Sequence, residues 1–420
     1  MSDAIKQEGV SGRVVVLGLQ HTFVMFGATV LVPLLTGLDV GVALFAAGVG
    51  TWIFHIITKF KVPVFLGSSF AFLPALFVIG ESEGLEFALG GILFAGVFYI
   101  VVSIILTFVS SDILHKLLPP WVTGPVIILI GVILAPVAIN YAADQNVGSV
   151  IEQIGLLGSW MVAFFTFAAA IVVKIWFAKL GWKFLSLLPV MLSIIAGYLL
   201  SVILGIVDFS GIREAAWLGI PNFTLPRFSA TAISFTVPIA IVTMVEHFGD
   251  VLAIGNVVKK DFIKDPGVNR TLLGDGIATS LSALIGGPAN TTYSENTGAV
   301  ALTGVYNPWV MRIAAIFAIV LSLVPKFSQL IASVPEPVIG GISILLFGMI
   351  SSIGVKNMVD ARVDLGDPKK LMIVAAMLVL GLGTAAAGVD FTVGNFQIGG
   401  LGFAAIAGII LNGILRPTAD

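Results

Sequence analysis

The chain has 420 residues, of which 58% are hydrophobic and 10% charged, with a net charge of −2. Soluble domains carry about 25% charged residues, so a soluble fold is excluded, and the near-neutral balance gives no case for a nucleic-acid partner. Without a single cysteine there is no disulfide and no thiolate metal site.

The stretch from Met1 to Arg13 is short and polar, lacking the apolar core and cleavage site of a signal peptide, so the first apolar run is expected to remain as a helix. Beyond it, charges bunch into clusters separated by apolar runs near the ~20 residues that a bilayer-crossing helix needs. Fourteen candidate spans follow, near 14–34, 40–58, 63–80, 85–109, 119–140, 155–178, 184–207, 231–257, 270–287, 297–305, 308–332, 335–355, 371–388 and 399–415.

Two spans break the pattern. The third opens on the β-like run Pro63-Val64-Phe65-Leu66 and breaks at Gly67-Ser68-Ser69. The tenth is too short to cross as a helix, and it follows the polar run from Gly287 to Gly298, which contains Glu295. Between Thr271 and Met311 there is no Lys or Arg. Hydrocarbon tolerates irregular polar backbone only where protein or a cavity covers it, and an intramembrane carboxylate marks a functional site. Each anomaly is third in its own half of seven. An odd number of spans per half inverts the second half, and interrupted segments at matching positions of inverted repeats point to a solute site between them. The expected repeats are residues 1–209 and 228–420, joined by a polar loop from Asp208 to Phe228.

Loop charges test this topology. With a cytoplasmic N-terminus, 18 of the 21 Lys and Arg fall inside, from Lys6 and Arg13 through Lys59, Lys116 and Lys259 to Arg416, and only Arg213, Arg227 and Lys326 fall outside. The positive-inside rule is satisfied, with both termini cytoplasmic.

In the eighth span, Glu246 and Asp250 stand at i and i+4 on one helical face beside Thr243, while His247 points about 100° away. Charged side chains in spans are costly, so Glu246 and Glu295 are read as functional; for Asp250 and Asp275 a structural and a functional reading are balanced. Burial disfavours a charged carboxyl, which lets such a group carry a proton at neutral pH. His21 and His247 are candidates for helix-to-helix hydrogen bonds ahead of proton relay. His55, near a span end, and His115, in an inside loop, read as structural. No His-Glu-x-x-His occurs, and Gly381-Leu382-Gly383 and Gly400-Leu401-Gly402 sit in apolar runs where close helix packing explains them. No cofactor or metal is expected.

The run Glu295-Asn296-Thr297-Gly298-Ala299-Val300-Ala301-Leu302-Thr303-Gly304 resembles the signature of the nucleobase–ascorbate transporter family. Gln20-His21, Gly67-Ser68-Ser69-Phe70-Ala71-Phe72 and Glu246-His247-x-Gly join it, so the likeness runs from about residue 13 to the C-terminus. Within the family, residues 290–296 are most similar to bacterial uracil permeases, since purine-type members usually have Gln in place of Glu295. Asp250 departs from that pattern: uracil permeases often have His there and xanthine permeases Asp.

The resemblance implies an all-α polytopic fold of fourteen segments in a 7+7 inverted repeat, with short antiparallel β-strands breaking segments 3 and 10. It divides the chain into a core domain (14–110 plus 229–333) and a gate domain (119–208 plus 335–415). It further implies uracil import with protons in the bacterial inner membrane, as a homodimer surrounded by lipid. Carried over by position, Glu246 and Glu295 hold the base, the backbones of Phe70 and Tyr293 lie on the strands beside it, and Ser294 follows the same strand. Glu246 and Asp250 are the expected proton-coupling pair, and His21, His247, Asn296 and Asp275 the supporting polar groups.

The residues support this independently. Uracil presents N–H donors flanked by carbonyl acceptors, which ask for carboxylates and for the free N–H groups of broken helices. A channel would need a continuous polar pore, an enzyme a nucleophile–base or metal constellation, and an anion exchanger a positive charge near the site. A xanthine or other purine-base permease remains the alternative.

Overall fold

A computed structural model describes residues 11–108, 117–394 and 396–416. His115, Lys6 and Lys116 lie outside the described residues, as do the side chains of Ser294, Glu295 and Val393.

The first half holds α1 (Gly12–Thr36), α2 (Val40–Ile57), strand β1 (Leu66–Ser68), α3 (Leu73–Ser82) and α4 (Leu85–Phe108). It continues with α5 (Pro120–Ala142), α6 (Ser149–Ile171, running on through a π turn) and α7 (Pro189–Ile203). A short helix α8 (Ser210–Glu214) lies in the connecting loop. The second half holds α9 (Ala230–Val258), α10 (Val268–Leu284), strand β2 (Asn290–Thr292), α11 (Ser294–Thr303), α12 (Trp309–Ser322) and α13 (Pro325–Ala332). It ends with α14 (Glu336–Asp360), α15 (Pro368–Ala387), the hairpin β3 (Phe391–Val393) and β4 (Phe396–Ile398), and α16 (Gly400–Leu415). Among the described residues, eight helices are long and apolar enough to cross a membrane, or nine if α12 and α13, bent by 87°, form one span.

Local chemistry sets these boundaries. Ser11 caps α1 by accepting from the Val14 N–H, and Gly37, at φ 76°, ends it in the left-handed conformation that lacks a steric cost only for glycine. Pro33 has no N–H, so the carbonyl of Thr29 four residues earlier has no helical partner. Ser68 of β1 supplies one, its Oγ donating to Thr29 O at 2.8 Å. Gly381 and Gly400 let α15 and α16 touch: a Cβ on Gly400 would meet Gly381 O at 2.6 Å.

β1 and β2 pair antiparallel, with Leu66 opposite Thr292, Gly67 opposite Thr291 and Ser68 opposite Asn290. Ser69 N–H extends the ladder to Ala289 O at 2.8 Å. The segment stops being a strand sooner than expected. Phe70 opens a 3-10 turn (Phe70–Phe72) instead of lying on β1, Tyr293 is the N-cap of α11, and Ser294 is its first residue. Pro74 near the start of α3 favours helical φ and turns the chain out of the strand. The hairpin β3–β4 was not anticipated in a fold read as helical outside segments 3 and 10.

Candidate substrate site

A two-stranded ladder among membrane-length helices leaves backbone groups that water cannot reach, and each must find a partner in protein. Side chains of the surrounding helices provide them. Thr51 Oγ1 of α2 accepts from Leu66 N–H at 2.9 Å. Thr279 Oγ1 of α10 donates to Asn290 O at 2.7 Å, and Asn290 Nδ2 donates to Ala46 O at 3.1 Å. His55 Nε2 lies 2.8 Å from Val64 O, and Asn296 Nδ2 donates to Pro63 O at 3.1 Å. Tyr293 hydroxyl donates to Ser68 O at 2.9 Å, its ring seated on Gly67, where a Cβ would come within 2.5 Å of it. Several polar residues of these spans are thus the scaffold of the strand crossing.

Two half-helices leave this crossing, the 3-10 turn leading into α3, and α11. Neither Ser69 nor Tyr293, their N-caps, supplies a side-chain cap. The first turns of two half-helices, with N–H groups that the helix itself does not pair and the positive ends of the helix dipoles, therefore lie beside the ladder. Glu295 is the second residue of α11, so its backbone stands in this turn.

α9 passes alongside and presents two faces. On one, Glu246 is half-buried and Asp250 is buried, with Asp250 Oδ2 accepting from Thr292 Oγ1 of β2 at 3.0 Å. On the other, His247 Nδ1 lies 3.3 Å from Asp275 Oδ2 of α10, both side chains almost wholly buried. The ring N–H is off the line of a good hydrogen bond, leaving an electrostatic contact. Tyr99 of α4 hydrogen-bonds Thr243, and Phe54 of α2 meets the His247 ring edge-to-face at 6.3 Å. Three helices thereby fix the rotation of α9 about its axis, with Glu246 one turn from Asp250 on the face bonded to β2.

His21 of α1 is buried against Asn296, with neither ring nitrogen in hydrogen-bond geometry. Phe70 meets Phe347 of α14 edge-to-face at 6.4 Å. Sequence reasoning missed Phe347, an apolar residue in an apolar run that carries no local signal. It also missed the Thr292–Asp250 bond, for which only the β-branched hydroxyls of Thr291-Thr292 hint at a strand face.

A profile described as a permease family matches residues 12–388. The chain is 43% identical over 423 residues to the uracil permease of Bacillus caldolyticus, covering 99% of this chain and 95% of that one. It is 36% identical over 408 residues to the uracil permease of Escherichia coli K12, covering 96% and 92%. The transmembrane domain of the cyanobacterial bicarbonate transporter BicA superposes with a TM-score of 0.68 at 15% identity, covering 95% of this chain and 97% of that domain. The murine anion transporter Slc26a9 in the inward-facing state gives 0.68 at 12% identity, covering 99% and 69%. At such identities these two similarities concern the fold alone. The chain is a multi-pass integral membrane protein, and it belongs to the nucleobase–ascorbate transporter family.

Proposed function

We propose that the protein carries uracil across the bacterial plasma membrane with protons, by alternating access. The observation that carries this is the β1–β2 crossing: two half-helices start there without a side-chain cap from Ser69 or Tyr293, and the α9 face that bears Glu246 and Asp250 is bonded to β2 through Thr292. Backbone N–H groups suit the two uracil carbonyls, while Glu246 and Glu295 suit its N–H donors. Ser294 and Tyr293 line the turn that holds Glu295, and Phe70 packs beside the base. A site that hydrogen-bonds polar edges rejects analogues lacking them, because its own buried groups would be left unpaired. The relatives named as uracil permeases support the choice of base.

Glu246 carries the coupled proton in this reading. Two carboxyls a turn apart favour sharing one proton, so Asp250 assists it while bonded to Thr292. His21, His247, Asn296 and Asp275 hold the frame. The strand–helix elements β1–α3 and β2–α11 are the matching interruptions of two inverted repeats of seven spans, 1–209 and 228–420, with both termini cytoplasmic. The core domain is 14–110 plus 229–333, the gate domain 119–208 plus 335–415, and the assembly a homodimer. Competition by uracil, thymine, xanthine and hypoxanthine for labelled uracil on the purified protein tests the choice of base. Uracil competing best is the expected outcome, and xanthine competing best would replace it with the purine alternative.

A further inference from the structure

On the division into core and gate just proposed, the two domains touch at the outer end of the cleft. At the outer end, α9 of the core and strand β4 of the gate are tied together. Ser234 Oγ accepts from Gln397 N–H at 2.9 Å, and its one proton is shared between Gln397 O and Thr231 O, each at 3.1 Å. Gln397 Nε2 donates in turn to Asp390 Oδ2 at 2.6 Å, bracing the base of the hairpin. The backbone closes on α9 at two glycines: a Cβ on Gly399 would sit 2.3 Å from the Phe235 ring, and one on Gly402 would sit 2.7 Å from Pro238. Across the cleft, Tyr141 hydroxyl of α5 donates to Leu35 O of α1 at 2.7 Å, filling a carbonyl that the last helical turn leaves without a partner.

Behind the outer ties lies a cavity of about 420 Å³, bounded by Phe77 and Val78 of α3, Phe235 and Ile239 of α9, and Leu382 and Asp390 on the gate side.

We propose that strand β4 and the outer turn of α9 form a latch, joined through Ser234 and Gln397, that holds core and gate together at this edge of the outer face and must part for a base to enter the cavity behind it from outside. Two hydrogen bonds and a glycine-mediated contact suit that role. They are enough to favour one state, yet the net contribution of a hydrogen bond is modest, so the latch can open within a transport cycle.

The chain contains no cysteine, so Ser234→Cys/Gln397→Cys gives a clean crosslinking pair. The full-length double variant should form the disulfide on mild oxidation in membranes. It should then keep uracil binding in detergent while uptake into proteoliposomes falls at least tenfold, and reductant should restore uptake. Retained binding with blocked uptake separates a latch from any failure of the uracil assignment, in which wild type too would not bind. Full crosslinking with undiminished uptake overturns the proposal. As a second arm, Ser234→Ala should speed labelling of an Ile239→Cys reporter, buried in the cavity wall, by a membrane-impermeant maleimide applied outside by several-fold. An unchanged labelling rate would also overturn it.

Discussion

Thr292 Oγ1 donates to Asp250 Oδ2 at 3.0 Å, joining strand β2 to the face of α9 that carries Glu246. The bond joins residues 42 apart in the chain, so it sets the spacing between α9 and the strand that leads into the turn holding Glu295. Bonds to a charged group are worth about 1.5–3 kcal/mol, while hydrogen bonds between membrane helices average about 0.6. A double-mutant cycle of Thr292→Val and Asp250→Ala on uracil affinity should therefore return at least ~0.6 kcal/mol of coupling. Additive effects would mean that the bond does not shape the site.

The pair His247–Asp275 is buried between α9 and α10. Removing one member of a buried pair leaves an uncompensated group and costs about 3–5 kcal/mol, whereas replacing both by apolar residues is often neutral. His247→Leu should lower the unfolding temperature in detergent markedly, and His247→Leu/Asp275→Leu should recover much of the loss. A double variant no more stable than the single one would show that the pair is not coupled.

Two glycines make opposite predictions. At Gly67 an added methyl would collide with the Tyr293 ring at 2.5 Å, while at Gly249 it would meet nothing within 4 Å. Overpacking a tight contact costs about 1–3 kcal/mol, so Gly67→Ala should lose most uracil binding while Gly249→Ala keeps it. Equal tolerance at both positions would contradict the Ser68–Tyr293 contact as the floor of the site.

Much of this was legible in the sequence because bilayer physics leaves few options. Membrane-length apolar runs announced the helices, and the polar, glycine-bearing stretches around Ser68 and Asn290 announced the irregular backbone. The i, i+4 spacing of Glu246 and Asp250 placed them on one face and His247 on another, as α9 has them. What pairs with what was not legible. That Thr292 reaches Asp250, that Phe347 meets Phe70, and that Asn296 satisfies Pro63 O all depend on tertiary placement between segments far apart in the chain. The β3–β4 hairpin did have a local signal, a Gly-Asn pair between Phe391-Thr392-Val393 and Phe396-Gln397-Ile398, of the kind that favours a tight turn. A search for 20-residue apolar spans passes over such short strands.

Glu295 stands in the first turn of α11, beside free backbone donors. Glu295→Gln removes the charge and keeps the shape, so it should weaken uracil binding by at least ~1.5 kcal/mol, about tenfold. Calorimetric titration of the folded variant measures this, and an unchanged dissociation constant would remove Glu295 from the list of base-binding groups.

The most direct measurement is uptake of labelled uracil into proteoliposomes under an imposed pH gradient, acidic outside, for wild type and Glu246→Gln. Wild type should accumulate uracil above equilibrium in a saturable manner, and collapse of the gradient should abolish that accumulation. Glu246→Gln should at most equilibrate uracil across the membrane. Accumulation by Glu246→Gln equal to wild type, or no uracil uptake by wild type at all, would contradict proton-coupled uracil transport through this site.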